Sequence, residues 1–171
     1  MSFDGVMLVG FHARGGSGGS PLEHTNDPGY VHMRINDQFA SEFLVFAYAA
    51  AWVGVPVPLV TGDQWLTDQV KSINPNITTV AVKQGIGDAT VNLHPDVAIE
   101  RIRAAAEKAL KGDLKKCLVV LPEKFHVEIR FKDHTKAKHS GFYPGATQVD
   151  HFTVAFESRD YFEVLRFFSF M

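Results

Sequence analysis

Three residues near the start of the chain have types and positions that suit chemistry: His12, His24 and Glu42. His12 follows an apolar run, Val6 to Val9, and Gly10. Four apolar residues in a row predict a strand buried on both faces, and His12 stands where that strand ends. Ligands in open α/β sheets sit outside the carboxyl ends of the strands, so an imidazole there is well placed for metal coordination or proton transfer. His24 lies on the loop that follows, Gly15-Gly16-Ser17-Gly18-Gly19-Ser20-Pro21-Leu22-Glu23-His24-Thr25. The plainer alternative is a mobile loop carrying a surface histidine. The loop is not a phosphate cradle: it has no Gly-x-x-x-x-Gly-Lys-Ser/Thr pattern, and Gly16-Ser17-Gly18 lacks the third glycine of a dinucleotide fingerprint. Glu42 opens an apolar stretch in which the next charged residue is Asp63. An ionised carboxylate on a buried helix is costly unless it is paired or coordinates a metal. The alternative is that Glu42 favours the helix dipole and reaches water.

The elements that must hold these residues alternate. Val31 to Ile35 has the period of a half-buried strand, closed by the turn pair Asn36-Asp37. A helix is predicted from Gln38 to Val53, apolar on every side and stopped by Gly54. Val55 to Thr61 reads as a strand whose early prolines fit its entry or an edge. Asp63 is expected to cap a helix over Gln64 to Ser72. Thr78 to Val82 is a further buried strand ending at Lys83, read as solvated, and Gly85 to Asp88 is a loop. His94-Pro95-Asp96 opens a helix that Gly112 ends. Strands alternating with helices predict βαβ units and a mainly parallel, doubly wound sheet over residues 1–113. Residues 114–171 change style and are expected to form a smaller α+β lobe. Within it, Phe125 to Phe131 alternates with one wet face, Asp133 to Ser140 is a short helix, and Val149 to Phe156 is a strand. Ser158 is expected to cap a last helix, Arg159 to Met171. His126, His134, His139 and His151 match no metal-ligand spacing.

Composition sets the bounds. A 171-residue chain with 46% hydrophobic residues and 14 Phe can fill a sizeable core. A net charge of −2 favours neither nucleic acid nor an anionic membrane as partner. One cysteine, Cys117, excludes an internal disulfide and fits a reducing compartment. No apolar run approaches a membrane span, and Met1-Ser2-Phe3-Asp4-Gly5 has no signal-peptide pattern, so a cytoplasmic soluble protein is the default expectation.

The residues also resemble a family. Gly10-Phe11-His12-Ala13-Arg14 is similar to the Gly-aromatic-His-Ala-Arg stretch of the zinc-dependent D-aminopeptidases of dipeptide-transport operons. His24 on its glycine-rich loop, Ile35-Asn36-Asp37, Glu42, Val55-Pro56-Val57, Thr61-Gly62-Asp63, Thr78 to Gln84 and Tyr143-Pro144-Gly145-Ala146-Thr147 follow in the family's order. The resemblance implies hydrolysis of short peptides with amino-terminal D-residues at a two-zinc centre, and homo-oligomeric, decameric rings. It implies that His12 and Glu42 are zinc ligands and that His24 has a catalytic role as acid, base or nucleophile. The family's other ligands, an Asp-x-Glu pair and a further His, lie upstream of the segment that begins here at Asp4. The resemblance therefore implies a chain matching the family's carboxyl-terminal two-thirds, without its amino-terminal strands. An incomplete zinc site with little activity is the corresponding expectation. The alternative from another class is a non-catalytic α/β scaffold or peptide-binding subunit that has lost the metal.

Overall fold

The computed structural model describes residues 3–171; Met1 and Ser2, where the segment read for a leader begins, lie outside the described residues. In chain order the elements are β1 (Met7–Phe11), β2 (Tyr30–Ile35), β3 (Gln38–Phe39), α1 (Glu42–Trp52), β4 (Leu59–Asp63), α2 (Gln64–Ile73), β5 (Thr78–Ile86) and β6 (Ala89–Asn92). They continue as α3 (Pro95–Lys111), β7 (Phe125–Phe131), α4 (His134–Ser140), β8 (Ala146–Gln148), β9 (Thr153–Ser158) and α5 (Tyr161–Phe168), with a short 3₁₀ turn at Leu114–Cys117.

Two sheets result. One has the order β1-β4-β5-β6, with β1, β4 and β5 parallel and β6 antiparallel to β5. The other is antiparallel throughout, in the order β3-β2-β7-β9-β8. The α/β class is as expected, but the division at residue 113 does not follow the sheets. β2, expected beside the parallel strands, pairs with β7, Met33 opposite Ile129. The main apolar core runs from Leu8 through α1 to Phe167, and a smaller cluster gathers Leu59, Val80 and Ala109 under α3. The antiparallel sheet is the larger of the two.

Local chemistry explains the other departures. Asn36 and Asp37 both take positive φ, 49° and 62°, as in a two-residue hairpin turn whose twist matches its strands. Gln38 and Phe39 therefore return as β3 and do not start the helix. α1 begins after Ser41, whose hydroxyl accepts from Leu44 N. Asp160, not Ser158, caps α5 by accepting from Phe162 N. Gly87-Asp88 closes a hairpin that extends β5 and adds β6.

β1 is not buried on both faces. Among the described residues it pairs only with β4, so it is a sheet edge, and Val9 is 57% exposed. Phe46, Trp52 and Val53 of the all-apolar segment around α1 are also exposed. Together with Phe3 and Val6, Phe46 and Val53 line an apolar groove of about 560 Å³ beside β1. Among the described residues, no helix is long and apolar enough to cross a membrane.

Candidate metal centre

The site forms where β1 ends. Its last residues are irregular: the register with β4 shifts between Leu8 and Phe11. Gly10 takes a φ of 80° there, the backbone form of a glycine-led bulge. Gly10 N donates to Thr61 Oγ1 at 3.1 Å, which fixes the bend. The bulge re-aims the chain, and His12 emerges at the carboxyl end of the parallel strands. Ala13, fully buried, donates its amide to Asp63 Oδ2 at 2.6 Å. Asp63 Oδ1 accepts from Leu66 N at the start of α2. The expected helix cap is therefore also a clamp on the residue after His12.

The glycine-rich loop is tied down, contrary to the expectation of a free lid. Gly19 packs so closely on Trp65 that a Cβ there would meet the indole at 2.6 Å. Glu23 accepts from the Ser17 hydroxyl and from Gly19 N, and these bonds hold its carboxyl below the usual range although burial works the other way. Thr25, 1% exposed, joins three segments: its hydroxyl accepts from Gly15 N and donates to Ala40 O at 2.9 Å. That residue fixes the distance between the end of β1, the loop and the start of α1. Sequence reasoning missed it; its only signal was a small hydroxyl residue directly after His24.

With these supports, His12, His24 and Glu42 meet. His12 Nε2 is 3.8 Å from Glu42 Oε2, and His24 Nε2 is 3.5 Å from Glu42 Oε1. The imidazole centroids are 4.3 Å apart with planes tilted by 32°. One ligand atom from each residue lies within 4.8 Å of the others. Asn26 N donates to Glu42 Oε1 at 3.1 Å and helps set the carboxylate.

The outer hydrogen bonds decide the tautomers. His12 Nδ1 is 2.9 Å from Ala13 O, and His24 Nδ1 is 2.8 Å from Leu22 O. A carbonyl oxygen only accepts, so both Nδ1 atoms carry the proton and donate. In that tautomer each ring turns its Nε2 lone pair towards Glu42. Fixing one ring nitrogen by a backbone carbonyl while the other faces the metal is how proteins orient ligating histidines. Two such nitrogens and a carboxylate, all half-buried, fit a zinc ion. His126, His134, His139 and His151 take no part: His126 pairs with Glu128 and Glu157 on the antiparallel sheet. Lys83 pairs in strand register with Asn92.

The D-aminopeptidase family model Peptidase_M55 matches residues 1–170. A D-aminopeptidase of Bacillus subtilis is 30% identical over 164 residues, which cover 95% of this chain and 60% of that protein. The zinc-dependent D-aminopeptidase DppA of Bacillus subtilis, described as a self-compartmentalizing protease, superposes with a TM-score of 0.86 at 28% identity. That match covers 98% of this chain and 63% of DppA. The chain thus spans about three-fifths of the length of the relatives it matches, and it belongs to the D-aminopeptidase family Peptidase_M55.

Proposed function

We propose that this chain carries the metal centre of a zinc peptidase that acts on short peptides with amino-terminal D-residues. The observation that supports this reading best is the convergence of His12 Nε2, His24 Nε2 and Glu42 on one point with both Nδ1 protons held elsewhere. His12 and Glu42 hold the ion. Their supports are rigid: the end of a strand clamped by Asp63, and the first turn of a capped helix. When bound, zinc supplies Lewis-acid polarisation of a carbonyl and a water of lowered pKa. His24 is the most exposed of the three, with 34% of its side chain accessible, and its ring is anchored only within its own loop. It takes the proton-transfer role at Nε2. The described residues gather one ligand group, so we assign one ion to this polypeptide, although the family resemblance implies two. Copies of the chain associate, a reading supported by the open edge of β1 and by the self-compartmentalizing relative; the resemblance puts the ring at ten. A cytoplasmic setting accords with the single, buried, unpaired thiol of Cys117.

The test is zinc binding followed by turnover. Against the expectation of an incomplete site with little activity, the protein, stripped and reloaded, should retain about one zinc per chain and cleave D-alanyl-D-alanine in preference to its L,L isomer. His12→Ala should abolish both. Full turnover without metal, or zinc retention that survives loss of both His12 and Glu42, overturns the reading. Absence of both zinc retention and turnover leaves the scaffold reading in its place, and zinc retention without turnover removes the peptidase part of the proposal.

A further inference from the structure

A second set of side chains comes from the same stretch of chain as the metal centre and plays no part in it. The Arg14 guanidinium carbon is 4.0 Å from the Phe39 ring centroid and 5.2 Å from that of Trp65. The Arg34 guanidinium carbon is 4.5 Å from the same Phe39 centroid. Stacking on aromatic faces suits guanidinium and leaves its edge free for hydrogen bonds. Both arginines are half-buried. Among the described residues neither has an acidic partner within ion-pair distance, whereas Arg130 pairs with Asp150 and Arg166 with Glu163. Arg34 Nε is buried with no hydrogen-bond partner at all. Arg14 uses one nitrogen, donating to Gly15 O. The nearby Glu23 carboxylate is engaged by Ser17 and Gly19. His32 meets Phe39 edge-on at 5.2 Å; burial, then Arg34, Arg130 and Arg14, push its pKa down, so it is neutral near pH 7.

Two positive, partly desolvated guanidinium groups with no acid in ion-pair contact, Glu23 acting on Arg14 and Glu128 facing Arg34 across the strands only at longer range, are an unusual expense for a fold to carry. Their fork geometry matches a carboxylate. Their place in the chain sets the scale. Arg14 follows His12 by two residues and Phe39 precedes Glu42 by three. Two residues of chain span at most about 7 Å, so the Cα atoms of His12 and Arg14 lie within a dipeptide's length of each other.

We infer that Arg14 and Arg34, stacked on Phe39, bind the terminal carboxylate of a short peptide whose amino end lies at His12, His24 and Glu42. This deepens the reading under Proposed function and rests on it for the position of the amino end. It makes the site a measure of length: di- and tripeptides reach both ends, and chains without a nearby carboxylate do not. Arg14 and Arg34 are binding residues in this scheme and touch no reacting bond.

The test separates this inference from the zinc reading because it needs neither metal nor turnover. Metal-stripped protein is titrated by calorimetry with D-alanyl-D-alanine and with the same dipeptide as its carboxy-terminal amide. The free acid should bind at least tenfold more tightly. Arg34→Gln and Arg14→Gln should each remove most of that preference, while Asp133→Asn, at the exposed cap of α4, leaves it intact. Arg34→Lys keeps the charge, loses the fork and should retain only part of it. A measurement on the unmutated chain guards against misfolded variants. The free acid, and not the amide or inorganic phosphate at equal concentration, should protect Arg14 and Arg34 from phenylglyoxal, read by mass spectrometry. Equal binding of acid and amide, no binding of the acid, a preference that survives both substitutions, or protection by phosphate alone overturns the inference.

Discussion

Asp63 and Ala13 are fifty residues apart in sequence and joined by a 2.6 Å hydrogen bond, so the cap of α2 also fixes the backbone next to His12. Both carboxylate oxygens face backbone donors. Asp63→Asn must turn an NH₂ towards one of them, leaving a buried donor unsatisfied at about 1–3 kcal/mol. For a chain of this size that is a fall in melting temperature of about 2–4 °C per kcal/mol. Zinc affinity should drop about 10–100-fold as well, the usual cost of losing an outer support. Asp133→Asn, at the exposed cap of α4, serves as control and should leave zinc affinity unchanged.

His12 and His24 should separate in a pair of measurements. Alanine at either position is expected to abolish turnover. Zinc affinity should fall much further for His12→Ala, because the backbone next to His12 is clamped by Asp63 and the His24 side chain is the more exposed. Equal losses of zinc at both positions would assign His24 as a ligand in the working enzyme.

Thr25→Val keeps the shape of the side chain and removes the hydroxyl that joins Gly15 to Ala40. Two buried backbone groups lose a partner, so destabilisation of about 1–3 kcal/mol is expected, measurable by urea titration. Thr25→Ser should recover most of it. The D-peptidase activity should follow stability and zinc affinity together, since the same hydroxyl spaces all three site segments.

A pH effect is expected away from the site. Burial lowers the His126 pKa, but hydrogen bonds and charge from Glu157 and Glu128 outweigh it, and the net shift is upward from 6.5. A histidine whose folded pKa is raised contributes stability in full below its unfolded value and loses it as pH rises through the folded value. The contribution should therefore fade above neutral pH. Proton NMR titration should place His126 above the ordinary histidine range, and Glu157→Gln should bring it down.

The open edge of β1 gives a prediction about assembly. Val9 stands exposed there, in a strand with one neighbour. A lysine on an edge strand blocks pairing with another chain. The unmodified protein should sediment as an oligomer and Val9→Lys as a smaller species. An unchanged distribution removes this edge from the interface.

Much of the site was legible because it is local. His12, His24 and Glu42 fall within one short segment, and strand end, loop and helix start are each marked by residue type. The sheets were harder. The alternating patterns of Val31 to Ile35 and Phe125 to Phe131 share one wet face, the mark of antiparallel strands, but a pattern does not name its partner across so many residues. The apolar run of β1 suggested two covered faces, and coverage is a property of neighbours. Asn36-Asp37 was read as a turn, but not as a hairpin that returns the chain as β3 and overrules the helix period read through Gln38 and Phe39.

The pairing of β2 with β7 has a consequence for synthesis on the ribosome. The loop bearing His24 leads directly into β2, and β2 has only the two-residue β3 beside it until β7 is made. At translation rates of about 5–20 residues per second, the intervening segment takes roughly 5–20 s to appear. During that interval the histidine segment has left the tunnel with its downstream anchor still missing. On the zinc reading proposed above, metal capture is expected to wait for the end of translation: a nascent chain stalled before Phe125 should show no zinc-dependent protection from protease, and one released after Ser158 should show it.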